Sequence, residues 1–432
     1  MTTATAAAPA ADVPSEASEQ PQPLGGGEGR LASLDFIRGI AVMGILAANI
    51  VAFGQPWSAY MYPASFLTEH GPASDAMWIA QFVLIDGKMR GLFTLLFGAG
   101  LYLFMERAWA RGSTRWLQAR RLVVLLLFGL AHFYFVWRGD ILTYYALVGL
   151  VVLLFVKLAA RTQLTIGLVG YIFGALAYAA MMVPLHFIAE TPFGERPDMA
   201  QTREGLAEGK AWALADDAIE ARIIGEGSYA DLVAHNFEVH PAEPFTNLAI
   251  FAPETLPLML IGIALYRLGL FSGGLNPRRQ RMWGWIGVFA GGALTWLIAL
   301  WAQGTGLSYY GTLAAFLGMS GIPRLMMILG LAALLALWAP RATGWLGERV
   351  SAAGRAAFTN YLGTSILMLF VFRGWAGGLF GELSRPELYI VVVATWIVML
   401  AWSKPWLARF RYGPLEWLWR CLTYGRPFPL PR

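Results

Sequence analysis

The chain has 432 residues, 57% hydrophobic and only 14% charged, with a formal net charge of +5 and a mean hydropathy of +0.54. Ordinary soluble domains carry roughly 25% charged residues, and a soluble globule has no interior large enough for this much apolar surface. A soluble enzyme and a disordered chain are both excluded, leaving an all-α polytopic membrane protein, a transmembrane helical bundle.

Residues 1–29 are rich in Ala, Pro, Glu, Ser and Gly and end in Gly25-Gly26-Gly27. They lack the charged start and apolar core of a signal peptide and read as a disordered cytoplasmic tail. Ten apolar runs follow, at 34–54, 89–107, 117–137, 139–159, 164–189, 247–270, 281–302, 321–339, 354–376 and 387–408. Each suits a hydrocarbon core of about 30 Å. The shorter runs 76–86 and 307–318 are expected to be interfacial or re-entrant. The chain thus divides into a transmembrane half (30–189), a loop (190–246), a second transmembrane half (247–410) and a tail (411–432). Residues 190–245 hold twelve acidic and four basic residues, with a helical stretch expected over 203–237. A loop of that length is either a solvated connector or a lid.

Loop charge sets the orientation. Every even-numbered loop is basic, as in Arg107, Arg111, Arg115, Arg120 and Arg121 after the second run, and the odd loops are poor in Lys and Arg. Both termini are therefore expected in the cytoplasm. The basic excess is a record of topology, so nucleic acid is not an expected partner. The single cysteine, Cys421, excludes an intrachain disulfide, and the five histidines show no HxxxH or HExxH spacing. No metal site is expected.

The informative residues are polar groups within or beside spans, which are costly unless paired or facing a cavity. They form two belts. At the cytoplasmic end, Asp35 and Arg38 lie three residues apart on one helix face. Gly354-Arg355 leads to Thr359-Asn360-Tyr361, and the tail reads Gly413-Pro414-Leu415-Glu416-Trp417-Leu418-Trp419-Arg420. At the outer end stand Asn49, His70, Asp86-Gly87-Lys88-Met89-Arg90-Gly91, His132, Arg138-Gly139-Asp140 and Glu254. Each has a plain structural use: snorkelling, an i,i+4 pair between Glu416 and Arg420, an N-cap at Asp140, a packed histidine. Together they supply a base, an acid to orient it, and cations for an oxyanion, which is the equipment of acyl transfer. Proton-coupled transport needs a similar set.

These motifs resemble the YeiB family of bacterial inner-membrane proteins from about residue 30 to 426. The matching segments are Arg30-Leu31-Ala32-Ser33-Leu34-Asp35-Phe36-Ile37-Arg38-Gly39, Gly87-Lys88-Met89-Arg90-Gly91-Leu92-Phe93, Arg138-Gly139-Asp140-Ile141-Leu142, Thr359-Asn360-Tyr361 and the tail. That family looks related to transmembrane acyltransferases such as heparan-alpha-glucosaminide N-acetyltransferase, which takes acetyl groups from cytosolic acetyl-CoA to a sugar amine across the membrane. The resemblance implies a donor site for acetyl-CoA or another acyl-CoA near the cytoplasm. It also implies an outer site for a small-molecule or lipid-linked acceptor, with lipid around the protein. Asn49 matches the relative's Asn at the end of the first span; His70 lies further along its loop than the relative's His. On this reading His132 or His70 is the base, Asp140 orients it, and Asn49 and Arg90 stabilise the oxyanion. Asp35, Arg38, Lys88, Arg138, Glu254, Arg355, Asn360 and Tyr361 serve donor or substrate binding. A proton-coupled permease is the alternative, and a homodimer is one of the oligomeric states left open.

Overall fold

The computed structural model describes residues 31–68 and 71–432; His70 and the tail 1–29 lie outside the described residues. The described chain is helical, its strand content confined to an isolated bridge between Phe410 and Pro431. In order, α1 is Ala32–Gly54, α2 Pro72–Leu84, α3 Lys88–Ala110, α4 Arg115–Phe135, α5 Leu142–Val152 and α6 Ala160–Glu190. Next come α7 Ala200–Glu226, α8 Tyr229–Glu238, α9 Glu243–Arg267, α10 Pro277–Gly304 and α11 Tyr309–Leu313. The chain closes with α12 Gly321–Trp338, α13 Trp345–Arg355, α14 Ala357–Phe372, α15 Arg385–Arg409 and α16 Pro414–Tyr424. Helix predominates because lipid offers no hydrogen-bond partner to a backbone, so each segment must satisfy its own.

Each of the ten expected runs falls on a helix, and among the described residues seven helices are long and apolar enough to cross a membrane, or eight if the α13–α14 pair is one span. Part of the shortfall is α5, a helix of 11 residues. The ninth run is a bent pair rather than one helix, with 85° between α13 and α14. Asn360 holds that bend. Its Nδ2 donates to the Ala353 carbonyl at 2.9 Å and to Ser403 Oγ at 3.2 Å, and its Oδ1 accepts from Trp402 Nε1 at 3.0 Å. Glu416, on α16, caps α14: Oε1 accepts from the Phe358 and Thr359 amides at 2.8 and 3.1 Å. Both carboxylate oxygens bind α14, since Thr359 Oγ1 donates to Oε2.

The bundle has two ends. At the tail end Ser33 Oγ donates to the Phe271 carbonyl, and Trp419 Nε1 on α16 donates to the Arg121 carbonyl. At the cap end Gln55 Nε2 donates to the Leu383 carbonyl, and α7 and α8 cover the helix ends, with Ser58 N donating to Asp217. The expected helical stretch 203–237 is thus α7 and α8, folded over the bundle. The central core joins α1, α4, α5, α9 and α14 through Ile45, Leu125, Tyr145, Met259 and Tyr361. Close approach of α3 and α9 depends on Gly98 and Gly262, where a Cβ would strike the facing backbone of Met259 or Leu95. Small residues at such crossings let helices pack where no hydrophobic effect drives them together.

Candidate functional site

The buried centre of the site is a histidine and an aspartate eight positions apart in sequence. His132 lies in the last turn of α4, and the chain reverses through Trp137-Arg138-Gly139 into α5. The reversal brings His132 Nδ1 to 2.9 Å from Asp140 Oδ1, with both side chains 1% exposed. The other oxygen, Asp140 Oδ2, accepts from the Thr143 amide at 2.8 Å, so the carboxylate caps α5 and orients the ring together. A carboxylate on Nδ1 fixes the tautomer with the proton there and leaves a lone pair on Nε2. His132 Nε2 is buried and has no hydrogen-bond partner among the described residues. The rings of Tyr361 and Trp137 flank it, at 5.4 and 6.3 Å between centroids. Tyr361 is itself fixed: its hydroxyl accepts from the Ile141 amide at 3.2 Å and donates to the Gly139 carbonyl at 3.5 Å.

Tyr361 connects this pair to a cavity of about 220 Å³ at the tail end. Five arginines line it, Arg38, Arg107, Arg121, Arg355 and Arg420, against two carboxylates, Asp35 and Glu416. Arg38 reaches Asp35 at 3.3 Å, the expected i,i+3 pair. Arg121 lies over the rings of Phe104 and Trp419, 4.6 and 4.1 Å from their centroids. Aromatic faces hold a guanidinium in place without neutralising it. Such a wall selects anions, and planar guanidiniums suit phosphate oxygens.

Trp137 leads the other way. It stacks on Phe53 at 4.0 Å and meets Trp57 at 6.1 Å, and Trp57 lines a cavity of about 520 Å³ beneath α7 and α8. That wall mixes aromatic rings (Trp57, Tyr62, Trp212, Tyr309) with Asp216, Asp217 and Glu243. Arg138, stacked over Trp57 at 4.8 Å, faces four carboxylates. They are Glu220 at 2.8 Å, Asp216 at 3.7 Å, and Asp217 and Glu243 at 3.8 Å each. Burial opposes the guanidinium charge, but these acids outweigh it and raise the Arg138 pKa. Burial pushes the Asp217 carboxyl up, partly countered by hydrogen bonds from Ser58. Asn49 lines neither large cavity. It shares a face of α1 with Ile45 in the core and with Phe53 against Trp137, which points that face toward the His132 hairpin.

Three expected binding residues stand elsewhere. Lys88, fully buried, donates to the Phe82 carbonyl at the α2–α3 turn. Asn360 spends its amide on the α13–α14 bend and faces α15. Glu254 bridges Arg90 at 2.8 Å and Arg324 at 2.9 Å beside a cavity of about 40 Å³. Arg90 is therefore committed to an ion triad rather than to the His132 centre. Sequence reasoning passed over Arg324, although an arginine inside the eighth apolar run is the signal that flagged the others. Arg385, fully buried with Nη1 donating to Gln81 at 2.9 Å, also goes unsignalled, because it lies just before the tenth apolar run, 387–408. Asp216, His235 and His240 escaped because their spacing matches no ligand motif, yet their donor atoms converge within 4.8 Å of one another.

The family model described as "Protein of unknown function (DUF418)" matches residues 265–426. The uncharacterized protein YeiB of Escherichia coli is 32% identical over 406 residues, covering 91% of this chain and 96% of that protein. The uncharacterized protein YxaH of Bacillus subtilis is 30% identical, covering 91% of this chain and 94% of its own length. No solved structure matches.

Proposed function

From the premise that the chain belongs to the YeiB family, we propose that it is a membrane-embedded acyltransferase. It moves an acyl group from an acyl-CoA, acetyl-CoA in the simplest case, at the tail end to a hydroxyl or amine acceptor under the cap. One observation carries this reading: the arginine-lined cavity ends at Tyr361, which packs on a histidine whose Nδ1 is held by Asp140 and whose Nε2 is unpartnered. An aspartate-oriented imidazole is a general base. In the proposed step, Nε2 takes the acceptor's proton as its oxygen or nitrogen attacks the thioester carbonyl. The C–S bond then breaks, and the imidazolium returns the proton to the CoA thiolate. Asn49 donates to the oxyanion. Arg38, Arg355 and their neighbours hold the phosphates at the cavity mouth, while the pantetheine arm reaches inward past Tyr361. The orientation expected from loop charge places the donor in the cytoplasm and the acceptor outside.

The test is purified protein in lipid nanodiscs with radiolabelled acetyl-CoA. Saturable binding and slow acyl loss that needs His132 support the reading; neither activity in the intact protein removes it. The buried Arg90–Glu254–Arg324 triad favours a second reading, a proton-coupled permease, because ionisable groups inside a bundle mark proton and ion paths. Solute uptake by proteoliposomes that survives loss of His132 but not of Glu254 would select it.

A further inference from the structure

We propose that the cap holds a divalent transition-metal ion, Zn²⁺ by donor chemistry, on Asp216, His235 and His240. Their ligand atoms lie within 4.8 Å of one another, although they come from α7, α8 and the turn after α8. A tetrahedral ion with bonds of about 2.0–2.1 Å needs donors roughly 3.3 Å apart. Asp216 Oδ2 and His240 Nε2 are already 3.7 Å apart, so closure of the three donors by up to about 1.5 Å completes the set.

Three independent features point to a cation there. His235 is 7% exposed, and its Nε2 is buried with no hydrogen-bond partner among the described residues. A buried imidazole left so is expensive unless something binds it. His240 Nδ1 lies 2.9 Å from Glu243 Oε2, a buried oxygen with no hydrogen bond of its own, so the carboxylate–histidine–metal arrangement that fixes a ligating tautomer is within reach. The local charge is also unbalanced. Four carboxylates, Asp216, Asp217, Glu220 and Glu243, face Arg138, and Arg373 is felt by Glu220. Four negative against two positive groups leaves a formal −2 in a mostly buried place, which one divalent ion cancels.

Arg138 competes for the site, since its Nη1 donates to His240 Nε2 at 3.1 Å. Its Nη2 remains on Glu220 at 2.8 Å, so metal entry displaces one hydrogen bond and leaves the arginine anchored. Two imidazoles and a carboxylate are the donor set of a zinc site with an open position rather than of a closed structural one. Asp216 and His240 line the cap cavity, so the open position faces it and is available to a hydroxyl or amine entering there. Metal binding at these residues does not depend on acyl transfer.

The experiment uses the full chain purified in detergent, stripped with chelator and titrated with Zn²⁺ against a chromogenic competitor, with Mg²⁺ as control. One Zn²⁺ per chain is expected, with Co²⁺ giving the intense visible bands of a tetrahedral N/O site. His235→Ala and His240→Ala should each abolish stoichiometric binding, and Glu243→Gln should weaken it about 10–100-fold. In the unmodified protein, Zn²⁺ should protect His235 and His240 from diethyl pyrocarbonate, a readout that needs no variant to fold. No binding by the stripped protein, binding unchanged in the double histidine variant, or no protection would each overturn the proposal.

Discussion

At the scale of single residues, burial and pairing separate chemistry from support. His132 and Asp140 are equally buried, but Asp140 spends one oxygen on α5 and one on the imidazole, while His132 keeps a nitrogen unspent. His132→Ala should reduce acyl transfer by about 10²–10⁴-fold with an unchanged elution profile and a lowered Tm, because Asp140 Oδ1 loses its buried partner; His132→Gln should lose the same activity with a smaller fall in Tm. Asp140→Ala should lower the rate and also lower Tm, because a capping side chain contributes about 0.5–2 kcal/mol. A rate loss of equal size in both alanine variants, with Tm unmoved by Asp140→Ala, would show that Asp140 acts only through His132. Arg355→Ala should raise the KM for acyl-CoA, with kcat little changed, and make the remaining binding less sensitive to salt. Titration of the variant across ionic strengths checks this. Glu254 is a different case. Its loss strands Arg90 and Arg324 inside the bundle, so Glu254→Ala should cost about 3–5 kcal/mol, read as a fall in Tm in detergent.

Elements show where local sequence rules were enough. The ten apolar runs all fall on helices, because a lipid-facing backbone has no other way to satisfy its hydrogen bonds. The helical stretch of the long loop was legible from its apolar residues set among acids. The break at Ala356 was not. Residues 354–376 read as one apolar run, and only Asn360, Ser403 and Trp402 from a distant helix show what holds the 85° bend. Asn360→Ala removes these bonds and should lower stability by about 1–3 kcal/mol, with acyl-CoA KM rising as Arg355 and Tyr361 lose their relative placement. The cap should respond to acid. Burial, reinforced by His240, lowers the His235 pKa from its ordinary 6.5. The opened cap therefore takes up more protons than the closed one below about pH 6.5, and closure weakens as pH falls through that range. Hydrogen exchange in α7 and α8 of the chelator-stripped protein should speed up between pH 7.5 and 5, and less so in His235→Gln.

For the whole molecule, the arrangement is two cavities of opposite character joined through one buried pair. The tail cavity is rich in arginine, and the cap cavity is rich in acids and rings. The line runs from Tyr361 to His132, then Trp137 to Trp57, crossing from one to the other without leaving the bundle. The helical membrane class was readable along the chain, and loop charge and buried polar groups set expectations for orientation and for two polar depths. Those follow from hydropathy and charge along the chain, quantities that lipid reads one segment at a time. The sequence offered His132 and His70 as bases and Asp140 as the acid to orient one, and the fold set His132 against Asp140. Tertiary structure alone decided which polar groups face a cavity and which are spent on each other. Lys88, Asn360 and Glu254 went to support, and Arg324 joined them unannounced. Asp216, His235 and His240 converged from separate elements. The physical reason is that pairing between distant segments depends on how helices cross, which no spacing along a single chain records.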